Sequence, residues 1–249
     1  MFSLDDYLQA KVSNAATLLR DGKYNEARNA IDAVYYLLGT KNIIELNLPS
    51  YVALPTLINL LTTRAKIYLS FHDYKTAYSI LTMIDILTLN KPLPLFVQVK
   101  IMLLKSNVMV MPNPVAHSLL ILSEALRVAE RSGDKRLVSE VYMEMGKFMA
   151  CEYTALGLSL IRKVETFCKR NRLKNGEIGA KVYRARCSYM LWTHDKYKWV
   201  NDRKRFAEET VRVLNSINPK DMQSQYNRDI YYGLKRDIQQ YQQANNNGN

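Results

Sequence analysis

The residues whose types could do chemistry are few in this 249-residue chain, and their spacing assembles no reactive group. The three histidines, His72, His117 and His194, are far apart and lack the H-x-x-x-H or H-E-x-x-H spacing that brings two imidazoles to one metal. His72 and His194 each precede an Asp, and both are expected in turns. Cys151, Cys168 and Cys187 are odd in number and show no C-x-x-C, so they read as reduced, mostly buried thiols of an intracellular protein, cytoplasmic or nuclear. Asp5-Asp6 and Glu208-Glu209 are adjacent carboxylates, and neighbours at i, i+1 point in different directions on a helix, which removes the usual acid–base pair. Gly157-Leu158-Ser159-Leu160-Ile161 lacks the final Gly of a nucleophile elbow, and neither a P-loop nor a dinucleotide-binding glycine pattern occurs. The expectation is a non-enzymatic protein without metal or cofactor.

Charge is the more informative chemistry. The formal net charge is +12, and residues 160–212 hold 15 Lys/Arg against 6 Asp/Glu. That segment supplies Arg162, Lys163, Lys169, Arg170, Arg172, Lys174, Lys196, Lys198, Arg203, Lys204 and Arg205 as a candidate basic surface, interleaved with Tyr183, Tyr189, Trp192, Tyr197, Trp199 and Phe206. Cations with aromatics between them suit phosphate neutralisation with base stacking, hence a nucleic-acid-associated regulatory factor. Arginine forks equally suit the carboxylates of an acidic protein segment. A solvated helix face whose aromatics are core is the third reading. Trp199 lies in a stretch, 193–202, that the helical patterning does not require.

The elements that position these residues read as helices throughout. Leu57, Leu61, Ala65, Tyr68 and Leu69 form one stripe at helical spacing, and Tyr74, Ala77, Leu81, Ile84 and Leu87 form another after a tight turn at Ser70–Asp73. Residues 4–38 repeat the design, with Ser3 as N-cap, Gly22 in the turn and Gly39 as C-cap. In both hairpins the small residues stand 12 apart, Ala15 to Ala27 and Ala65 to Ala77. Weaker hairpins follow. Phe96–Met111 leads into a helix from Pro114, Arg136 to about Arg172 forms the fourth, and Glu177–Leu191 with Arg203–Ile217 forms the fifth, with Ala207, Val211 and Leu214 expected inward. Asn218-Pro219 opens a last helix to about Gln243. No run approaches 18 apolar residues, so no membrane span is expected.

This order of small and aromatic residues resembles the tetratricopeptide repeat (TPR). The likeness is clear in 4–38 and 57–89 and degenerate elsewhere. The resemblance implies an all-α, right-handed superhelical solenoid of about five helical hairpins plus a C-terminal capping helix, in one domain over 1–243 with a polar disordered tail at 244–249. In such arrays the residue after the small one faces the groove, which marks Lys66, Asn107, Lys147 and Arg186 as groove residues. The implied function is a scaffold or adaptor that binds an acidic or helical segment of a protein partner, within a larger assembly.

Overall fold

The computed structural model describes residues 3–39, 52–108, 114–194 and 203–246. Among them eleven α-helices and one short 3-10 turn occur, and no strand. The all-α expectation of consecutive helical hairpins therefore holds. By contacts the chain divides into two compact units, Met1–Val128 and Ala129–Asn249.

In the first unit α1 (Leu4–Arg20) and α2 (Tyr24–Leu37) pair as a hairpin, as do α3 (Leu54–Ser70) and α4 (Tyr74–Thr88). Ser3 caps α1 in a reciprocal capping box with Asp6. Its neighbour Asp5 does more than complement the helix dipole: its carboxylate accepts from the Thr56 hydroxyl at 2.9 Å and ties α1 to the start of α3. Helix α3 is buried on most sides. Leu57, Leu61 and Ala65 face α4, while Leu60 and Ile67 join Leu8, Val12, Ile31 and Val34 under the first hairpin. Ala15, Ala27, Ala65 and Ala77 have no exposed surface, the close approach that their 12-residue offset predicts. Arg64 is 7% exposed and stacks over the Tyr35 ring at 3.7 Å.

Two boundaries differ from the sequence reading. Helix α5 (Leu95–Ser106) stops before Met111 because Asn107 caps it, donating its side-chain amide to the Leu103 carbonyl at 2.8 Å. The last helix, α11 (Gln225–Asn246), starts later than Pro219: Asn218 caps the 3-10 turn Pro219–Asp221 instead. The Met111–Asn113 turn and most of the 193–202 stretch lie outside the described residues.

In the second unit α7 (Lys135–Glu152), α8 (Thr154–Arg170), α9 (Lys174–Thr193) and α10 (Arg203–Asn215) pack in succession, with α11 against α9. The division between the units falls within α6 (Pro114–Ser132). Gly146 and Gly157 set the α7–α8 approach: a Cβ on Gly157 would stand 2.5 Å from the Ala150 backbone nitrogen. The turns α1–α2, α3–α4 and α8–α9 share one geometry. Lys23, Asp73 and Leu173 each donate a backbone N–H at 2.9 Å to a carbonyl five residues back, with Gly22, His72 and Arg172 at positive φ.

Candidate functional site

Two charged surfaces of the second unit carry the chemistry. The first is built on the face shared by α7, α9 and α11. Tyr183 on α9 is buried, and its ring lies near Tyr226 on α11, with centroids 6.3 Å apart. Burial, then the neighbouring Tyr226, pushes the Tyr183 hydroxyl well above its ordinary value, so it stays a neutral phenol. Two groove residues expected from the sequence converge here. The Lys147 ammonium from α7 stands 4.7 Å from the Tyr183 ring centroid, and the Arg186 guanidinium, one turn along α9, 6.0 Å. Lys147 also pairs with Glu144 at 2.6 Å, which leaves Arg186 as the exposed cation of the pair. The other two expected groove residues belong to the first unit. Lys66 is exposed on α3, and Asn107 is the half-buried α5 cap.

The second surface is a cleft of about 390 Å³ between α8, α9 and α10, lined by Arg162, Arg184, Arg205, Glu208, Glu209 and Arg212. Its base is Glu209, which is only 4% exposed. Its Oε1 accepts from Arg162 Nε at 3.2 Å and from Arg184 Nε at 2.7 Å, and its Oε2 accepts from Arg162 Nη2. Arg184 Nη1 reaches on to Glu165 Oε2 at 2.9 Å. Burial alone would raise the Glu209 carboxyl; the hydrogen bonds from Arg162 and Arg184 outweigh that and hold it below its usual range. Three helices are thereby joined through one carboxylate.

The remaining basic residues are dispersed. Lys163, Lys169 and Arg170 are exposed on α8, Arg172 sits exposed in the α8–α9 turn, and Lys174 pairs with Asp221 at 3.2 Å. Arg203 donates to the Trp192 carbonyl at 2.8 Å, while Lys204 and Arg205 are exposed on α10. Lys196, Lys198 and Trp199 lie outside the described residues. The described aromatics of the segment pack inward: Trp192 stacks edge-on against Tyr189 and Tyr241, and Phe206 joins the α8–α9 core.

Sequence reasoning did not select Arg184 or Arg212, and it set Glu209 aside as one of two adjacent carboxylates, whereas that side chain is buried. The same reasoning placed Ala207, Val211 and Leu214 inward on α10; Leu214 is buried and Val211 packs half-buried against the core, but Glu209, Thr210 and Val213 are buried there too. An acidic side chain on the inward face hides from hydrophobic periodicity, and its partners lie 47 and 25 residues away. Of the histidines, His72 is in the α3–α4 turn and His194 ends α9, as expected. Among the described residues no three His, Cys, Asp or Glu side chains gather as a metal site requires, and no helix is long and apolar enough to cross a membrane.

Among solved structures the chain is similar to a signal transduction ATPase with numerous domains (STAND) protein with a tetratricopeptide repeat sensor from Pyrococcus horikoshii. The TM-score is 0.60 at 14% identity, over 97% of this chain and 31% of that one. No protein-family model matches the chain, and no curated protein does. The likeness shows the fold, a TPR-like array of helical hairpins.

Proposed function

We propose that this chain is a non-catalytic scaffold or adaptor whose α7–α9–α11 face holds an acidic segment of a protein partner within a larger assembly. The observation that carries the reading is the convergence of Lys147 and Arg186, from two different helices, on the buried Tyr183 ring. The buried Tyr183 ring underlies the two cations, the exposed Tyr226 ring beside it offers apolar contact for an extended or helical segment, and Arg186 offers charge for its carboxylates. Repeat folds of stacked hairpins serve this role by presenting long surfaces built from successive helices.

The test is non-covalent affinity capture from lysate with Lys147→Glu/Arg186→Glu against wild type. The double variant should lose the proteins that wild type retains, and those should elute near about 1 M salt, where the Debye length falls to about 3 Å. Capture that survives both the substitution and the salt would remove this face from the reading.

A further inference from the structure

The cleft between α8, α9 and α10 has a chemistry that the acidic-segment reading does not use. All six lining side chains are charged, four guanidiniums against two carboxylates. Glu209 is already satisfied by Arg162 and Arg184. A buried ion pair of this kind adds little net stability, because desolvation offsets the attraction. What it does is fix two guanidiniums in one arrangement at the floor of a solvent-open cleft. Each guanidinium has five N–H donors, and the bonds to Glu209 and Glu165 engage two on each of these arginines. Arg205 and Arg212, both exposed on α10, stand two helical turns apart and bring two further forks to the rim. Glu208 lies three residues from one and four from the other, a spacing at which exposed pairs are weak enough for a dianion to displace. Among the described residues no aromatic side chain lines the cleft, so none of them offers a base a ring to stack on there.

The geometry points to a phosphoryl-binding site: the cleft takes a phosphomonoester or diphosphate group, either free or carried on a phosphorylated side chain of a protein. Convergent, pre-oriented arginine forks suit a tetrahedral dianion with several acceptor oxygens better than a flat monoanionic carboxylate. Because Arg162 and Arg184 are ordered by folding, less side-chain entropy is lost when the ligand arrives.

The full chain would be titrated calorimetrically with inorganic pyrophosphate, and by fluorescence anisotropy with a labelled phosphoserine peptide, at constant ionic strength. Saturable binding at or below about 1 mM is expected. Arg205→Ala/Arg212→Ala should weaken it about tenfold or more. Lys75→Ala/Lys91→Ala, which removes the same charge from exposed positions of the first unit, should leave it unchanged. Should the arginine double variant unfold, Arg205→Lys/Arg212→Lys keeps the charge, loses the forks and should still weaken binding. Pyrophosphate displacing the phosphopeptide supports one site for the free group; phosphopeptide binding alone supports the phosphorylated side chain. Three results would overturn the assignment: no saturable binding, affinity indifferent to the arginines, or equal binding of the peptide with Glu in place of phosphoserine. So would equally tight, arginine-dependent binding of a single-stranded oligonucleotide with 5′-hydroxyl ends, which would place a nucleic-acid backbone there.

Discussion

Burying a carboxylate is unfavourable by itself, and Glu209 is tolerated because Arg162 and Arg184 reach it from two other helices. The Arg162 side chain is 39% exposed and that of Arg184 20%, so water can take them back if the carboxylate is removed. Glu209→Gln should therefore cost about 2–3 kcal/mol, at or below the lower end of the range for breaking a fully buried pair. The pH dependence has a definite sign. The folded carboxyl is held below its ordinary value of 4.5, so its contribution is complete above that pH and is lost as pH falls through the folded value. Urea melts of wild type and Glu209→Gln should differ most at neutral pH and converge in acid; a constant gap would show that lost packing, not charge, sets the cost. The cysteines supply a second check at this scale. Burial pushes the Cys187 thiol up to about 12, and burial likewise raises Cys168, whereas Cys151 is exposed. A thiol-specific reagent should label Cys151 alone in the native protein and all three on unfolding. Rapid native labelling of two or three thiols would contradict the packing around α8 and α9.

At the level of elements, what could be read depended on which residue types occupy the close approaches. Hairpins α1–α2 and α3–α4 were legible because alanines mark their contacts and turn residues separate their helices. Helix α8 was harder. Its small residue is Gly157, 11 positions after Gly146 rather than 12, and only Tyr153 separates it from α7, with no Gly or Pro to mark the break. On helix α10 Leu214 and Val211 were legible as inward, but Glu209 was not, because a charged residue faces in there. Repeat offsets single out Lys147 and Arg186 one at a time, without their meeting at Tyr183, and the arginine cleft joins residues from α8, α9 and α10 that no local pattern relates. The α7–α8 approach gives a test of the packing. In Gly157→Ala the new methyl would meet Ala150 backbone atoms at 2.5–2.6 Å, and a backbone cannot swing aside as a side chain can. A loss of about 1–3 kcal/mol is expected. Gly233→Ala, inside α11 with nothing within 4 Å of the added carbon, should instead gain about 0.5–1 kcal/mol. Equal effects of the two substitutions in thermal melts would mean that α7 and α8 do not touch as described.

Across the whole molecule, charge is the property that no single element explains. Of the formal +12, residues 160–212 contribute 15 cations against 6 anions, and Lys163, Lys169, Arg170, Arg172, Lys204, Arg205 and Arg212 are exposed. Crowded exposed charges of one sign repel and destabilise the compact state. Salt acts on this repulsion and on the ion pairs in opposite directions, so magnitudes decide the outcome. Exposed pairs such as Lys23–Glu26 and Arg28–Asp32 are worth about 0–1 kcal/mol each and weaken with salt. The Glu209 network is buried and is screened much less. Raising chloride from about 10 mM to about 150 mM shortens the Debye length from about 30 Å to about 8 Å, which relieves repulsion between cations on neighbouring turns of α8 and α10. The melting midpoint should therefore rise with salt, by about 2–4 °C for each kcal/mol of repulsion relieved. Lys163→Glu/Lys169→Glu, at exposed positions of α8, should raise the low-salt midpoint and flatten the salt response. A wild-type midpoint that falls with added chloride would mean that ion pairs, not the excess of cations, dominate the electrostatics of this fold.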